Sequence, residues 1–231
     1  MVRSLTNISQ ATKSVDFAII GHMQRRWIGW FYGIALLALA VGVSAAIAED
    51  VGAVPKSAEI AILRDPGTPA VGAADADVIL VEYFDCNCPF CKKLAPALQG
   101  LLKADARVSL VYKDWPILGD VSAYAARSAL AAGYQGKYLL AHDTLMAAAR
   151  LASDSQVDSL LRNAGLNIVQ LKADALSHGA TINALLQRND TEARALGIRG
   201  TPGLLVGRHI INGVYDVAGL EQAVAIARRE R

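Results

Sequence analysis

Cysteine is scarce in this chain: three residues in 231, and all three (Cys86, Cys88 and Cys91) lie within six positions of one another. A disulfide-stapled scaffold spreads its cysteines along the chain, so this composition excludes one and favours a site. A second cysteine pair is missing, as is any histidine pair at ligand spacing; His22, His142, His178 and His209 are scattered. Structural zinc takes four ligands, so no zinc site is expected, and none of these histidines is assigned to catalysis. Charge of one sign is lacking too, since 23 Lys and Arg stand against 21 Asp and Glu, for a net +2. Basic clusters are absent apart from Arg228-Arg229-Glu230-Arg231. Nucleic acid is therefore not an expected partner, and the terminal arginines suit a helix end, where the dipole favours cations. The part of the chain that would remain after cleavage holds no internal repeat and no low-complexity tract.

What is present is concentrated in residues 78–94. Val78 to Val81 is an unbroken apolar run, continued by Glu82, Tyr83 and Phe84, and reads as a buried strand. Cys88-Pro89-Phe90-Cys91 follows, with proline where a first helical turn tolerates it. Two cysteines three apart on that turn face each other within bridging reach. At a helix N-terminus the dipole and free backbone N–H groups stabilise a thiolate and lower its pKa. This is a place for thiol chemistry.

Residues 1–48 read as a leader. Arg25-Arg26 precede an uncharged run, 27–48, that ends in Ala46-Ile47-Ala48 before Glu49-Asp50. A basic flank, an apolar core and an Ala-x-Ala end form an export signal. At about 20 residues the run is also long enough for an uncleaved membrane anchor. Met23 would open a conventional signal and is the expected start. Either reading places the remaining chain outside the cytoplasm, in the periplasm, and the lack of cysteine near the cleavage site excludes a lipoprotein anchor. Residues 49–76 read as a linker, with 57–64 a short helix or strand and Asp65-Pro66-Gly67-Thr68-Pro69 as turns.

Beyond the cysteines, 92–104 is expected as a helix; Pro96 could end it, but the apolar spacing of Leu94, Leu98, Leu101 and Leu102 favours a continued, kinked one, and 107–113 is expected as a second strand. Helical periodicity fills 122–133, 137–150, 155–164 and 168–189, the last divisible at Gly179. A short helix is expected over 191–196, stopped by Gly197. Residues 204–206 and 209–212 read as a hairpin around Gly207-Arg208, and 220–229 as a final helix. The pattern is an α/β sheet (77–114 and 190–231) interrupted by a helical insertion (115–189).

In these residues the chain resembles the DsbA-like family of thiol:disulfide oxidoreductases, most closely its exported ScsC (suppressor of copper sensitivity) group. The matching stretches are Val81-Glu82-Tyr83-Phe84-Asp85 leading into Cys88-Pro89-Phe90-Cys91-Lys92, Val111-Tyr112-Lys113-Asp114-Trp115-Pro116-Ile117-Leu118-Gly119, Gly136-Lys137-Tyr138, and Leu196-Gly197-Ile198-Arg199-Gly200-Thr201-Pro202. The resemblance implies a thioredoxin-like α/β fold with an inserted all-helical subdomain. Cys88 would be the attacking, solvent-facing thiol and Cys91 the buried resolving one. Pro202 would be a cis-proline facing them, with Thr201 exposing its backbone to an extended substrate chain. Glu82 and Lys113 would be the buried acid and lysine beneath the site, with a Glu82–Lys113 ion pair weighed against Lys113 reaching solvent. Pro89 and Phe90 would tune the redox pair. No cofactor is implied beyond the Cys88–Cys91 disulfide. The implied partners are exported proteins carrying thiols or disulfides and a membrane redox partner, and the linker looks too short for a trimerising stalk, so a monomer is expected.

Cys86 departs from that pattern, where a non-cysteine residue is usual. It reads either as a small apolar strand end or as a third thiol completing a Cu(I) site with Cys88 and Cys91. A copper-handling protein is accordingly the alternative function.

Overall fold

The computed structural model describes Ile62, Asp65 and residues 67–230. The leader over 1–48, its start at Met23, its cleavage or anchoring, and nearly all of 49–66 lie outside the described residues. Among the described residues, no helix is long and apolar enough to cross a membrane.

The apolar run forms β2 (Val78–Phe84), every residue of which is buried except the partly covered Ile79. It lies at the centre of a five-stranded sheet ordered β1-β3-β2-β4-β5, with β1 Ala70–Gly72, β3 Val108–Asp114, β4 Gly203–Val206 and β5 His209–Asn212. Helix α1 (Pro89–Ala104) carries the chain from β2 to β3, which pair in parallel; the other three pairings are antiparallel. A fully buried central strand needs apolar side chains on both faces, which is why its sequence shows no alternation.

Successive side chains on a strand point to opposite faces, and the two faces build two cores. Val78, Leu80 and Phe84 of β2 join Val108, Leu110 and Tyr112 of β3 and the apolar side of α1 (Leu94, Leu98, Leu101). Helix α7 (Val217–Arg229), N-capped by the Asp216 side chain, closes the same face through Leu220, Val224 and Ala227. On the other face, Val81, Tyr83, Val111 and Leu205 pack with Ile62, Trp115, Ala193 and Ile198.

Between β3 and β4 run α2 (Asp120–Ala132), α3 (Tyr138–Ala147), α4 (Asp154–Asn163), α5 (Ile168–Ser177) and α6 (Gly179–Ala195). Ser153 and Asn167 side chains cap α4 and α5. Leu145, Leu161, Leu171 and Ile182 from these helices extend the first core.

Two boundaries differ from the pattern reading. The stretch 49–76 is not all linker: Ala70–Gly72 is an edge strand paired with β3, too short for its alternation to register. Helix α1 runs on through Pro96, as the spacing of Leu94, Leu98, Leu101 and Leu102 favours. The break expected between 189 and 191 falls inside α6, where no glycine or proline interrupts the helix. The short helix expected over 191–196 is therefore the last turns of α6, and that one helix belongs both to the insertion and to the sheet's second core.

Candidate active site

The site is built where β2 ends and α1 begins. Asp85 terminates the strand and its carboxylate is fully used: Oδ1 accepts from Asn87 N at 2.7 Å, and Oδ2 from Ile117 N at 2.8 Å and Leu118 N at 2.9 Å. Asn87 in turn makes two bonds of 2.9 Å to the backbone of Leu151, its Nδ2 donating to the carbonyl and its Oδ1 accepting from the N–H. Lys92 Nζ donates to Leu145 O at 2.7 Å. These three side chains tie the loop before α1 to the loop after β3 and to the insertion, fixing the geometry of the turn between them.

Cys88 occupies the N-cap of α1 with extended backbone (φ −74°, ψ 119°), and Pro89 opens the helix. Its Sγ lies 3.2 Å from Thr201 O, and the Thr201–Pro202 peptide bond is cis. All three cysteines are free thiols. Gly203 follows Pro202 at a position where a Cβ would collide with the Ile198 side chain, and the Thr201–Pro202 loop lies close over the helix end. That proximity corrects one expectation: Cys88 is 4% exposed, not solvent-facing, because the Thr201–Pro202 loop covers it. The exposed residues of the motif are Pro89 and Phe90, the latter at 60%.

The two thiols are driven apart in acidity. Cys88 is lowered from an ordinary value of 9.0 to about 5 by the Cys91 thiol donating to it; burial opposes this, and the Thr201 side chain and the backbone N–H groups of Cys91 and Phe90 reinforce it. Cys91 is pushed far up, since its proton is held by Cys88, burial disfavours its charge and Glu82 repels it. One member of the pair is thus a thiolate at neutral pH and the other a thiol.

Glu82 is fully buried on the cysteine-side face, with neither carboxylate oxygen partnered. Burial, then the charges of Cys88 and Asp114, raise its pKa from 4.5 to about 8. It makes no ion pair with Lys113. In the parallel register Glu82 sits beside Tyr112, and Tyr83 beside Lys113. Glu82 and Lys113 are therefore on opposite faces of the sheet. Nor does Lys113 reach solvent: its fully buried Nζ lies 2.8 Å from Asp65 Oδ2 and 2.9 Å from Glu192 Oε2. Tyr83 OH also donates to Glu192, and Arg188 pairs with Asp65 at 3.1 Å. Burial raises the Asp65 pKa, but Lys113, Thr68 and Arg188 outweigh it and hold the carboxyl below its usual value.

Cys86 is buried, and burial together with the charges of Asp114 and Asp85 raises its pKa well above the ordinary value. Among the described residues no three His, Cys, Asp or Glu side chains are placed to hold a metal ion. Cys86, Cys88 and Cys91 thus form no such group, although all three lie in the same buried core.

Sequence reasoning passed over Asp114 and His142. Asp114 Oδ2 accepts from Tyr138 OH at 2.7 Å while Oδ1 is unpartnered, and burial raises its pKa to about 7 against that bond. His142 is enclosed by the rings of Phe84, Tyr112 and Tyr138, with Nε2 unpartnered. Only pairing register brings Asp114 near Glu82, and only the docking of α3 brings His142 against Phe84 and Tyr112, so no local signal marks them. Asp85 and Asn87 did carry one, an Asp-x-Asn turn at a strand end.

A groove of about 750 Å³ opens beside this turn, bounded by Phe90 and Lys93 on one side and by Arg199, Thr201 and Asn212 on the other.

The thioredoxin family model matches residues 64–225. A thioredoxin-like oxidoreductase from Silicibacter pomeroyi DSS-3 superposes with a TM-score of 0.71 and 37% identity, covering 76% of this chain and 98% of that one. The catalytic domain of Proteus mirabilis ScsC gives a TM-score of 0.66 and 28% identity over 75% and 96%. Among curated relatives, Na(+)/H(+) antiporter NhaA 1 of Salinispora arenicola is 28% identical over 159 residues, 68% of this chain and 24% of the antiporter. The chain thus spans about a quarter of the length of the antiporters it matches.

Proposed function

We propose that this chain, which belongs to the thioredoxin family, is an exported thiol:disulfide oxidoreductase acting on other exported proteins through Cys88 and Cys91. The observation that carries this reading is the split acidity of the two thiols on one helix turn, Cys88 at about 5 and Cys91 far above its ordinary value. The likeness to an oxidoreductase and to the ScsC catalytic domain supports it. The basic, apolar, Ala-x-Ala leader supports export.

In the reducing direction, the Cys88 thiolate attacks one sulfur of a substrate disulfide. The new Cys88–substrate bond forms as the substrate S–S bond breaks, and the departing thiolate takes up a proton. Cys91 then gives up its proton and attacks Cys88 Sγ. The second substrate thiolate leaves and is protonated, the enzyme is left as a disulfide, and the substrate has gained two electrons. Oxidation of a substrate dithiol is the same sequence reversed. A thiolate that is a good leaving group makes the enzyme disulfide the more readily reduced.

Glu82 suits the proton transfer at Cys91: its burial keeps the carboxyl mostly protonated at pH 7, yet its pKa of about 8 keeps the carboxylate within reach. Resolution of the mixed disulfide is expected to quicken as pH rises through about 8. Glu82→Gln should flatten that profile and slow resolution about tenfold or more, measured by rapid acid quench. Stability gives a second check. The folded pKa is raised, so Glu82 favours the fold fully below pH 4.5, and that contribution is lost as pH rises towards 8. Glu82→Gln should therefore gain on wild type in chemical denaturation at pH 8 relative to pH 4.5. An unchanged difference across that window counts against the buried carboxyl.

The reading is tested by trapping. Cys91→Ser, incubated with an unfolded protein carrying a disulfide, should accumulate an enzyme–substrate mixed disulfide, visible on non-reducing gels and absent when Cys88 is also serine. Wild-type protein should turn the same substrate over without accumulation. If Cys91→Ser forms no adduct, the exchange reading fails.

A further inference from the structure

We infer that the groove beside the redox pair selects substrate segments that carry an acidic residue next to the reacting cysteine, with Arg199 and Lys93 as the selecting groups. This rests on the exchange reading and deepens it by naming a substrate class.

The groove is the surface against which a chain must lie to present a sulfur at Cys88. Its apolar lining includes the exposed Phe90 and Val214. The Thr201–Pro202 and Asn212–Gly213 segments also line it. Lys93 and Arg199 are the charged residues among those that line it, and no carboxylate does. Both are exposed. Elsewhere many cations are committed: Arg107, Lys113, Lys172, Arg188, Arg194 and Arg228 each pair with a carboxylate. The side chains of Lys93 and Arg199 make no hydrogen bond or ion pair among the described residues. An adjoining groove of about 670 Å³ shares Lys93 and Val214 and carries Asp216, whose Oδ1 accepts from Gly219 N at 2.8 Å. That carboxylate competes for Lys93 and does not line the wall formed by Arg199. Arg199 therefore carries the larger share of the selection. Its planar fork also suits a carboxylate held bidentately.

The test uses three short peptides, each with one cysteine activated as a 2-pyridyl disulfide and flanked by Glu, Gln or Lys. The Cys88 thiolate attacks the peptide sulfur, the Cys88–peptide S–S bond forms, and the peptide–pyridyl bond breaks. Pyridine-2-thione leaves with the electron pair and a proton from water, and its absorbance reports the rate. The expected order for the reduced protein is Glu over Gln over Lys, with about a fivefold spread at low salt that shrinks at high salt. Arg199→Glu should invert the Glu-to-Lys ratio, and Lys93→Ala should narrow it by less. Lys103→Glu, at the far end of α1, should leave the ratio unchanged. Because the ratio is taken within one protein, loss of folded material in a variant cancels. Equal rates on all three peptides, or a ratio indifferent to Arg199→Glu, would overturn the inference while leaving the exchange reading intact. No attack on any peptide would sink the exchange reading itself.

Discussion

Cys88→Ser is expected to reduce thiol–disulfide exchange to background, a loss of about a thousandfold or more, and to erase an ultraviolet thiolate titration with its midpoint near pH 5. The size follows from acidity. A thiol of pKa about 5 is roughly 99% thiolate at pH 7, whereas one at 9.0 is roughly 1%. Serine supplies neither a comparable anion nor a sulfur able to form the mixed disulfide, and Cys91 is no substitute because its pKa lies far above neutral. The same acidity bears on the equilibrium: holding Cys88 as a thiolate at pH 7 favours the reduced enzyme, which shifts the pair towards a stronger oxidant than an ordinary dithiol. The sign with pH follows from a lowered folded pKa. The thiolate's contribution to the reduced fold is fully present above about pH 9 and is lost as pH falls through about 5. The oxidised protein has no thiolate and so lacks this contribution. Denaturation of the reduced and oxidised forms at pH 5 and pH 8 should therefore show the reduced form gaining on the oxidised one with rising pH. A reduced-form titration centred near 9 would refute the account.

The second large effect belongs to the opposite face of the sheet. Lys113→Ala is expected to destabilise the fold by about 3 kcal/mol, read as a lower denaturation midpoint at unchanged slope. Removing the lysine leaves Asp65, with its side chain 7% exposed, and the more accessible Glu192 without their shared cation. Loss of one partner from a buried pair costs about 3–5 kcal/mol. The lower end is expected because Arg188 still reaches Asp65 and Tyr83 still donates to Glu192. The deficit should shrink as pH is lowered, because the Asp65 carboxyl takes up a proton more readily once Lys113 no longer holds its pKa down. The Cys88 titration should keep its midpoint near 5, since Lys113 is not among the groups that shift it. A Lys113→Ala protein of wild-type stability, or one whose thiolate midpoint moved, would remove Lys113 from this structural role.

Much of the site was legible locally. A buried apolar run followed by Cys-Pro-Phe-Cys states strand, helix start and paired thiols at once, because strand burial, the tolerance of proline at a first turn and the reach of two side chains three apart are short-range effects. Glu82 was equally visible as a carboxyl in an otherwise apolar strand. The Gly207 turn and the final helix were visible for the same reason. The linker that hides an edge strand, and α6 running through the expected boundary near residue 190, were not. Three residues are too few to show a period, and a helix shared by two cores carries no mark of where one core ends.

By itself, then, the sequence determined that Cys88 and Cys91 stand together where a buried strand gives way to a helix. Tertiary structure alone decided how the other site residues are paired. The register between β2 and β3, invisible in either strand's own pattern, put Glu82 beneath the thiols and Lys113 on the far face with Asp65 and Glu192. The return of the chain over 113 positions set Thr201 against Cys88 and buried it. Both outcomes depend on contacts between segments far apart in sequence, whose relative placement is fixed only when the whole core closes.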